Sequence, residues 1–319
     1  MPMSSVGLIL GGGGITGASY EMAALLAIEM ATGWNPNDAD VVIGTSAGAY
    51  VTALVRSDRL ELDSMVRSGE TRDEVAERIS RHLFVRQPGV KVGSWVRNGL
   101  LRAVRRPGLT MLLGSPAPFT ASGMAEWVRS LVGAQADGWP ARPTIITAFD
   151  IAARKRVAFG TEDAPDVSLA DAAAASAAIP LVFRPYEIDG VDYADGGVVS
   201  GTHADLILGS PRPLDFVLIL APMAAEQDRD GARFHEKVFD RVGRTALADE
   251  LSQIRREWPD TEVLVMRPSP PVLAAMRPNP MDVKGAVPSF IRTLIQMRRT
   301  LARDEIWGVL SRHLGTARV

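Results

Sequence analysis

Cysteine is missing from all 319 residues, which excludes disulfides, thiolate metal sites and a cysteine nucleophile. Histidine is scarce: His82, His203, His235 and His313 are the only four, and none has distinctive local context. Each reads as an ordinary surface or packed residue, so no metal and no cofactor is expected. An excess of either charge is also lacking. Lys plus Arg number 35 against 37 Asp plus Glu, a net charge of −2, which removes any global attraction to nucleic acid. Long apolar runs are absent as well. Met1 to Leu10 has no basic leader and only a short apolar run, so no secretory signal is expected and the protein reads as cytoplasmic. The charge-free stretch from Pro107 to Ala125 is broken by prolines and glycines, which argues against a spanning helix and leaves lipid contact peripheral.

What is present is enough apolar material, 46% of residues, for a large core. With no repeat and no compositional break, the chain reads as a single domain over 1–319. Val6–Leu10 predicts a buried strand, Ala18–Met30 a nearly all-apolar helix sandwiched in the core, and Val41–Ile43 a second strand. The right-handed crossover rule makes those strands parallel with the helix across one face. Further on, the pattern predicts a helix over Leu60–Leu83 and strands over Pro143–Phe149 and Arg156–Phe159. Ser168 to Asp171 matches a capping box opening a helix over Ala172–Ala178, and Asp189-Gly190 marks a hairpin turn. Strands over Asp215–Leu220 and Thr261–Met266 flank a helix over Phe234–Glu257. A proline-rich loop over 267–280 and a last helix over Val287–His313 follow. This alternation is that of an α/β fold with parallel strands.

Two glycine motifs carry the chemistry. Val41-Val42-Ile43 feeds Gly44-Thr45-Ser46-Ala47-Gly48, a G-x-S-x-G turn from strand to helix that exposes a nucleophilic serine at the bend. The alternative use of Ser46 is as a plain helix N-cap. One strand earlier, the loop Gly11 to Gly14 ending at Gly17 can present the amides of Gly12, Gly13 and Gly14 to an oxyanion, aided by the dipole of the helix behind it. The base is less legible from spacing. His235 or His313 would formally complete a Ser-acid-His order, but the serine comes after a single strand, too early for an α/β-hydrolase. Asp195, in Asp195-Gly196-Gly197, sits on a tight turn from which its carboxylate can reach another loop, although Asp-Gly is also a common turn pair.

Gly12-Gly13-Gly14-Ile15-Thr16-Gly17, Gly44-Thr45-Ser46-Ala47-Gly48 and Asp195-Gly196-Gly197, in this order, resemble the patatin-like phospholipase family. Ala175-Ser176-Ala177-Ala178-Ile179-Pro180 also looks like that family's helix-ending segment. The motifs cover about 6–208, with C-terminal strands and helices over 209–319. The resemblance implies a three-layer α/β/α fold with a mostly parallel central sheet, a helical cap segment and C-terminal helices. It also implies a Ser-Asp dyad of Ser46 and Asp195 cleaving acyl esters of lipids, with the glycine loop as oxyanion hole and Gly17, Gly44, Gly48, Gly196 and Gly197 supporting the turns. One departure stands out. Family members commonly carry Arg or Lys where this chain has Thr16, so a cation near the oxyanion loop is missing.

The stretch 78–125 contains no acid and eight basic residues, among them Arg78, Arg86 and Arg97, interleaved with apolar ones such as Phe84 and Trp95. That mixture suits a cap over the site and peripheral contact with an anionic membrane, or simply a solvated basic face. Two rival readings remain at this level. Gly12-x-Gly14-x-x-Gly17 also matches a dinucleotide-binding loop, but Gly44-Thr45-Ser46 occupies the place of the ribose-binding acid. A lipid-binding homologue without activity, with Thr16 as its symptom, is the other.

Overall fold

The computed structural model describes residues 4–87, 96, 116–224, 234–276 and 279–315, and for 234–242 the backbone alone. Its strands are β1 (Val6–Leu10), β2 (Val41–Thr45), β3 (Val85–Arg86), β4 (Phe119–Thr120), β5 (Thr144–Asp150), β6 (Lys155–Phe159), β7 (Tyr186–Ile188), β8 (Val191–Asp195), β9 (Phe216–Leu220) and β10 (Glu262–Met266). The described helices are α1 (Gly14–Thr32), α2 (Ala47–Arg56), α3 (Leu62–Met65), α4 (Arg72–Leu83), α5 (Ser122–Val132), α6 (Leu169–Ser176), α7 (Phe234–Glu257), α8 (Pro270–Ala275), α9 (Ala286–Leu301) and α10 (Asp304–His313).

The main sheet runs β10-β9-β1-β2-β5-β8-β7, with β6 also on β5, and β3 pairs separately with β4. From β10 to β5 every pairing is parallel; β6, β8 and β7 are antiparallel additions. The central strands are buried on both faces, which explains their unbroken apolar sequences. Successive side chains point to opposite faces. Leu8, Leu10, Val42 and Leu218 therefore join α1, α2 and α9 in one core, whereas Ile9, Ile43, Val217 and Ile219 pack with Leu247, Leu251 and Ile254 of α7 in another. Two helical layers on a mostly parallel sheet make the α/β/α arrangement that the alternation and the motifs lead one to expect.

The pairing of β5 positions the site. One edge of β5 pairs with β6 from Ile146 to Asp150. The other edge is shared: β2 pairs in parallel as far as Thr45 opposite Thr147, and β8 pairs antiparallel from Asp195 opposite Ala148. Because β2 and β8 approach from opposite directions, their C-terminal ends meet head to head at the middle of β5.

Several element boundaries differ from expectation, each for a local reason. Helix α1 starts at Gly14, inside the glycine loop, and stops at Gly33, which adopts φ 74° and donates its amide to the Glu29 carbonyl. The predicted helix over 60–83 divides into α3 and α4 around Gly69, at φ 80°. Thr71 caps α4, its hydroxyl accepting from the Glu74 amide while the Glu74 carboxylate accepts from the Thr71 amide at 2.7 Å. At the start of α6 only half of the expected box forms: the Ser168 hydroxyl accepts from the Asp171 amide, but the Asp171 carboxylate turns to Arg129 and to the Tyr186 hydroxyl. The last predicted helix is two, α9 and α10, separated at Ala302-Arg303, and the 267–280 loop contains α8, opened by Pro270. The Asp189-Gly190 turn is as predicted, with both residues at positive φ, 50° and 79°.

Candidate active site

Ser46 lies between β2 and α2 with φ 54° and ψ −113°, a backbone region costly for a residue with a side chain. Its hydroxyl does not cap α2, so the N-cap alternative does not describe it. The flanking glycines are steric requirements. A Cβ on Gly48 would lie 2.0 Å from the Leu10 carbonyl oxygen, and one on Gly44 would lie 2.4 Å from Thr52 Oγ1. Helix α2 is thus pressed onto the end of β1, and the Gly48 amide donates to the Gly11 carbonyl at 3.2 Å. That contact joins the serine turn to the glycine loop.

Asp195 ends β8 and is 4% exposed. Its carboxylate accepts a hydrogen bond, at 2.7 Å, from the Gly197 amide, and the nearby Ser46 side chain also acts to lower its pKa. Burial pushes its pKa from 3.8 up to about 6, against the opposing pull of those two groups. The turn is held from both sides. The Asp195 amide donates to the Ala178 carbonyl at 3.0 Å, and a Cβ on Gly196 would lie 2.6 Å from Thr147 Oγ1. Ser46 and Asp195, far apart in sequence, are therefore brought side by side in a site with little access to water.

The glycine loop lies against the serine: a Cβ on Gly12 would stand 3.4 Å from that of Ser46. Its amides are not equivalent. Gly12, expected as an oxyanion donor, instead gives its N–H to the Gly201 carbonyl at 2.7 Å. A tertiary contact decides this, because the loop after the Asp195 turn folds back over Gly12. The amides of Gly13 and Gly14 have no acceptor among the described residues, and they stand at the N-terminus of α1 with its positive dipole end. Gly17 closes the first turn of α1 by donating to the Gly13 carbonyl, and packs on Pro222.

A cleft of about 710 Å³, counted with its open mouth, leads away from Ser46 between α1, α2, α4 and α5. Ile15, Met22, Tyr50, Met65, Ile79, Leu83, Met124, Trp127, Ile179 and Phe183 line it, so it is overwhelmingly apolar. The Tyr50 and Trp127 rings pack at 4.9 Å on its wall. Thr16 is fully buried and turned to the Pro280 carbonyl, with its methyl against Gly285, so that position has no room for a long cation. Of the basic residues in 78–125, Arg78 does reach the cleft, but Glu70 neutralises it through paired bonds of 2.7 and 2.8 Å. Most of that basic segment, 88–95 and 97–115, lies outside the described residues, and so does any cap built from it.

Sequence reasoning overlooked three supports. Ser176 Oγ accepts the Ser46 amide at 2.8 Å; a lone hydroxyl inside an alanine run was its only signal. Thr45 and Thr147 bond through their hydroxyls at 2.8 Å, linking β2 to β5 beside the turn. The third is a cluster of buried His203 and Glu250 with half-buried Asp205, whose potential ligand atoms lie within 4.8 Å of one another. Protein donors already fill its oxygens, and Arg156 bonds both His203 and Asp205, which disfavours a cation there. The other placed histidines are remote in role: His82 bonds the Arg78 carbonyl, and His313 bonds Glu262 and stacks on Phe216.

No curated protein sequence matches the chain. Among solved structures, VipD from Legionella pneumophila is similar at 13% identity and a TM-score of 0.37, over 93% of this chain and 67% of that one. ExoU in its heterodimeric complex with SpcU, from the type III secretion system of Pseudomonas aeruginosa, is similar at 16% identity and a TM-score of 0.32. This chain is covered over 98% of its length there and spans 57% of the other. Residues 8–208, more than half of the sequence and including all three glycine motifs, match the patatin-like phospholipase family. The chain belongs to the patatin-like phospholipase family.

Proposed function

We propose that the protein is a serine lipid acyl hydrolase, of phospholipase A, lysophospholipase or carboxylesterase type, working through a Ser46–Asp195 dyad. The observation that carries this is the juxtaposition of the strained Ser46 and the buried Asp195 carboxylate, with Ser46 at the head of an apolar cleft. Asp195 accepts the hydroxyl proton as Ser46 Oγ attacks the ester carbonyl. The developing oxyanion is received by the amides of Gly13 and Gly14, and the acyl chain lies in the cleft. Collapse of the intermediate expels the alcohol, which takes the proton back from Asp195. Water, activated in the same way, then releases the fatty acid and restores the serine.

A carboxylate of ordinary pKa is a weak base for a serine proton; the raised value in this dry site narrows the gap. The juxtaposed pair also weighs against an inactive lipid carrier. A dinucleotide reading finds no support either, because the Gly12 amide is already engaged.

Reaction with a fluorophosphonate lipid analogue, followed by mass spectrometry of the peptides, is expected to place one adduct at Ser46. Labelling at another serine would end the proposal. Because Asp195 must be ionised to take the proton, kcat/KM for a neutral p-nitrophenyl ester is expected to fall on the acid side. The midpoint is near pH 6, with a tenfold loss per pH unit below it, to be read from a pH–rate profile. A profile flat to pH 4 would exclude Asp195 as base.

A further inference from the structure

We infer that Glu250 and His203 are positioning residues that lock the Asp195 turn and the glycine loop into one unit, so that nucleophile, base and oxyanion donors keep a common geometry. The inference rests on the dyad reading above, but it concerns groups that touch neither substrate nor dyad.

Glu250 comes from α7, outside the residues matched to the family, and its carboxylate is buried. It collects three donors from the loop after Asp195: Ser200 Oγ at 2.5 Å, Thr202 Oγ1 at 2.6 Å and the Ala204 amide at 2.9 Å. Ser200 Oγ in turn accepts the amides of Thr202 and His203, both at 3.2 Å. The loop is thereby wound tightly around one carboxylate. Its middle carbonyl, Gly201, is the one that takes the Gly12 amide at 2.7 Å.

His203 closes the circuit on the other side. It is fully buried and held at φ 50°, a strained backbone that only strong surroundings maintain. Arg156 Nη1 stands 3.3 Å from its Nδ1 and can only donate, so Nδ1 is the acceptor and Nε2 carries the proton. Nε2 donates that proton to the Gly196 carbonyl at 3.0 Å, one residue past Asp195. Burial lowers the imidazole pKa to about 4, which keeps the ring neutral and this tautomer fixed at neutral pH. Asp205 anchors Arg156 at 2.8 Å. The chain of bonds thus runs from α7 through 200–204 to both Gly12 and Gly196, the neighbours of the oxyanion donors and of the base.

The full chain, its Glu250→Gln, His203→Ala and His203→Gln variants, and two readouts test this. The first is kcat and KM on a p-nitrophenyl ester. The second is hydrogen exchange of the peptide containing the Gly12 amide, which needs no activity. A shift in catalytic geometry of the order of an ångström lowers the rate about 100-fold, so His203→Ala and Glu250→Gln are expected to lower kcat about 10- to 100-fold with KM little changed. The Gly12 amide exchanges faster in both variants. His203→Gln, which can still donate to the Gly196 carbonyl, recovers most of the loss. If Glu250→Gln does not fold, Ser200→Ala removes one strand of the same hub and is read identically. Wild-type kcat and wild-type Gly12 exchange in folded His203→Ala and Glu250→Gln would overturn the inference. Faster Gly12 exchange in the two variants, together with a wild-type protein that lacks esterase activity, would support the lock while refuting the dyad reading.

Discussion

Ser46→Ala is expected to reduce hydrolysis of p-nitrophenyl acyl esters by about 10⁴- to 10⁶-fold, the range seen when a nucleophile is deleted from a working catalytic unit. Asp195→Asn should come close to it, near 10⁴-fold, because the amide keeps the shape and the Gly197 contact but accepts no proton. Turnover retained in either variant would refute the dyad. Asp195→Asn carries a second signature, of opposite sign. Since burial raises the Asp195 pKa from 3.8 to about 6, the fold favours the neutral acid, and the carboxylate is a liability of about 3 kcal/mol at any pH above 6. The asparagine variant is therefore expected to be more stable than wild type at pH 8, by up to that amount. The difference should shrink as pH falls through 6 and vanish below 3.8. Urea unfolding at both ends of that range measures it. An inactive variant that gains stability distinguishes loss of a base from loss of folding.

Gly48→Ala is expected to cost more than about 3 kcal/mol and to abolish activity with it. A methyl group 2.0 Å from the Leu10 carbonyl oxygen meets backbone, not a flexible side chain. Relief requires α2 to lift away from β1, which carries Ser46 off the glycine loop. Gly209→Ala provides the comparison, because a Cβ there meets nothing within 4 Å. It should leave stability unchanged or raise it by about 0.4–1 kcal/mol through the unfolded state. Urea midpoints for the two variants check the pair. Equal midpoints would mean that the serine turn does not depend on close helix–strand approach.

The residues that form the sheet were legible because doubly buried strands are apolar throughout, as Val6–Leu10 and Phe216–Leu220 are. The turn that carries Ser46 was legible for a related reason: glycine at 44 and 48 records a steric demand that no other residue meets. The breaks in helices were not. Thr71 and Glu74 form a complete capping box, yet the surrounding pattern is periodic enough to read as one helix through them. Distant contacts were legible least of all. Which loop amides stay free depends on the Gly201 carbonyl reaching Gly12 across 189 residues of chain, 201 − 12, and no local pattern around either glycine encodes that meeting. Glu250 likewise looks like any acid on an amphipathic helix until the 200–204 loop is wrapped around it.

The shared edge of β5 makes that strand a ruler between Ser46 and Asp195. Thr147 lies opposite Thr45, where β2 stops before Ser46, and Ala148 opposite Asp195, where β8 stops, so a single peptide step of about 3.3 Å sets their spacing. One residue inserted between these two marks would move serine and aspartate apart by a full step and turn the following side chains to the opposite face. In the proposed dyad, the distance over which the proton travels is thus metered by the backbone of a strand that lends it no side chain.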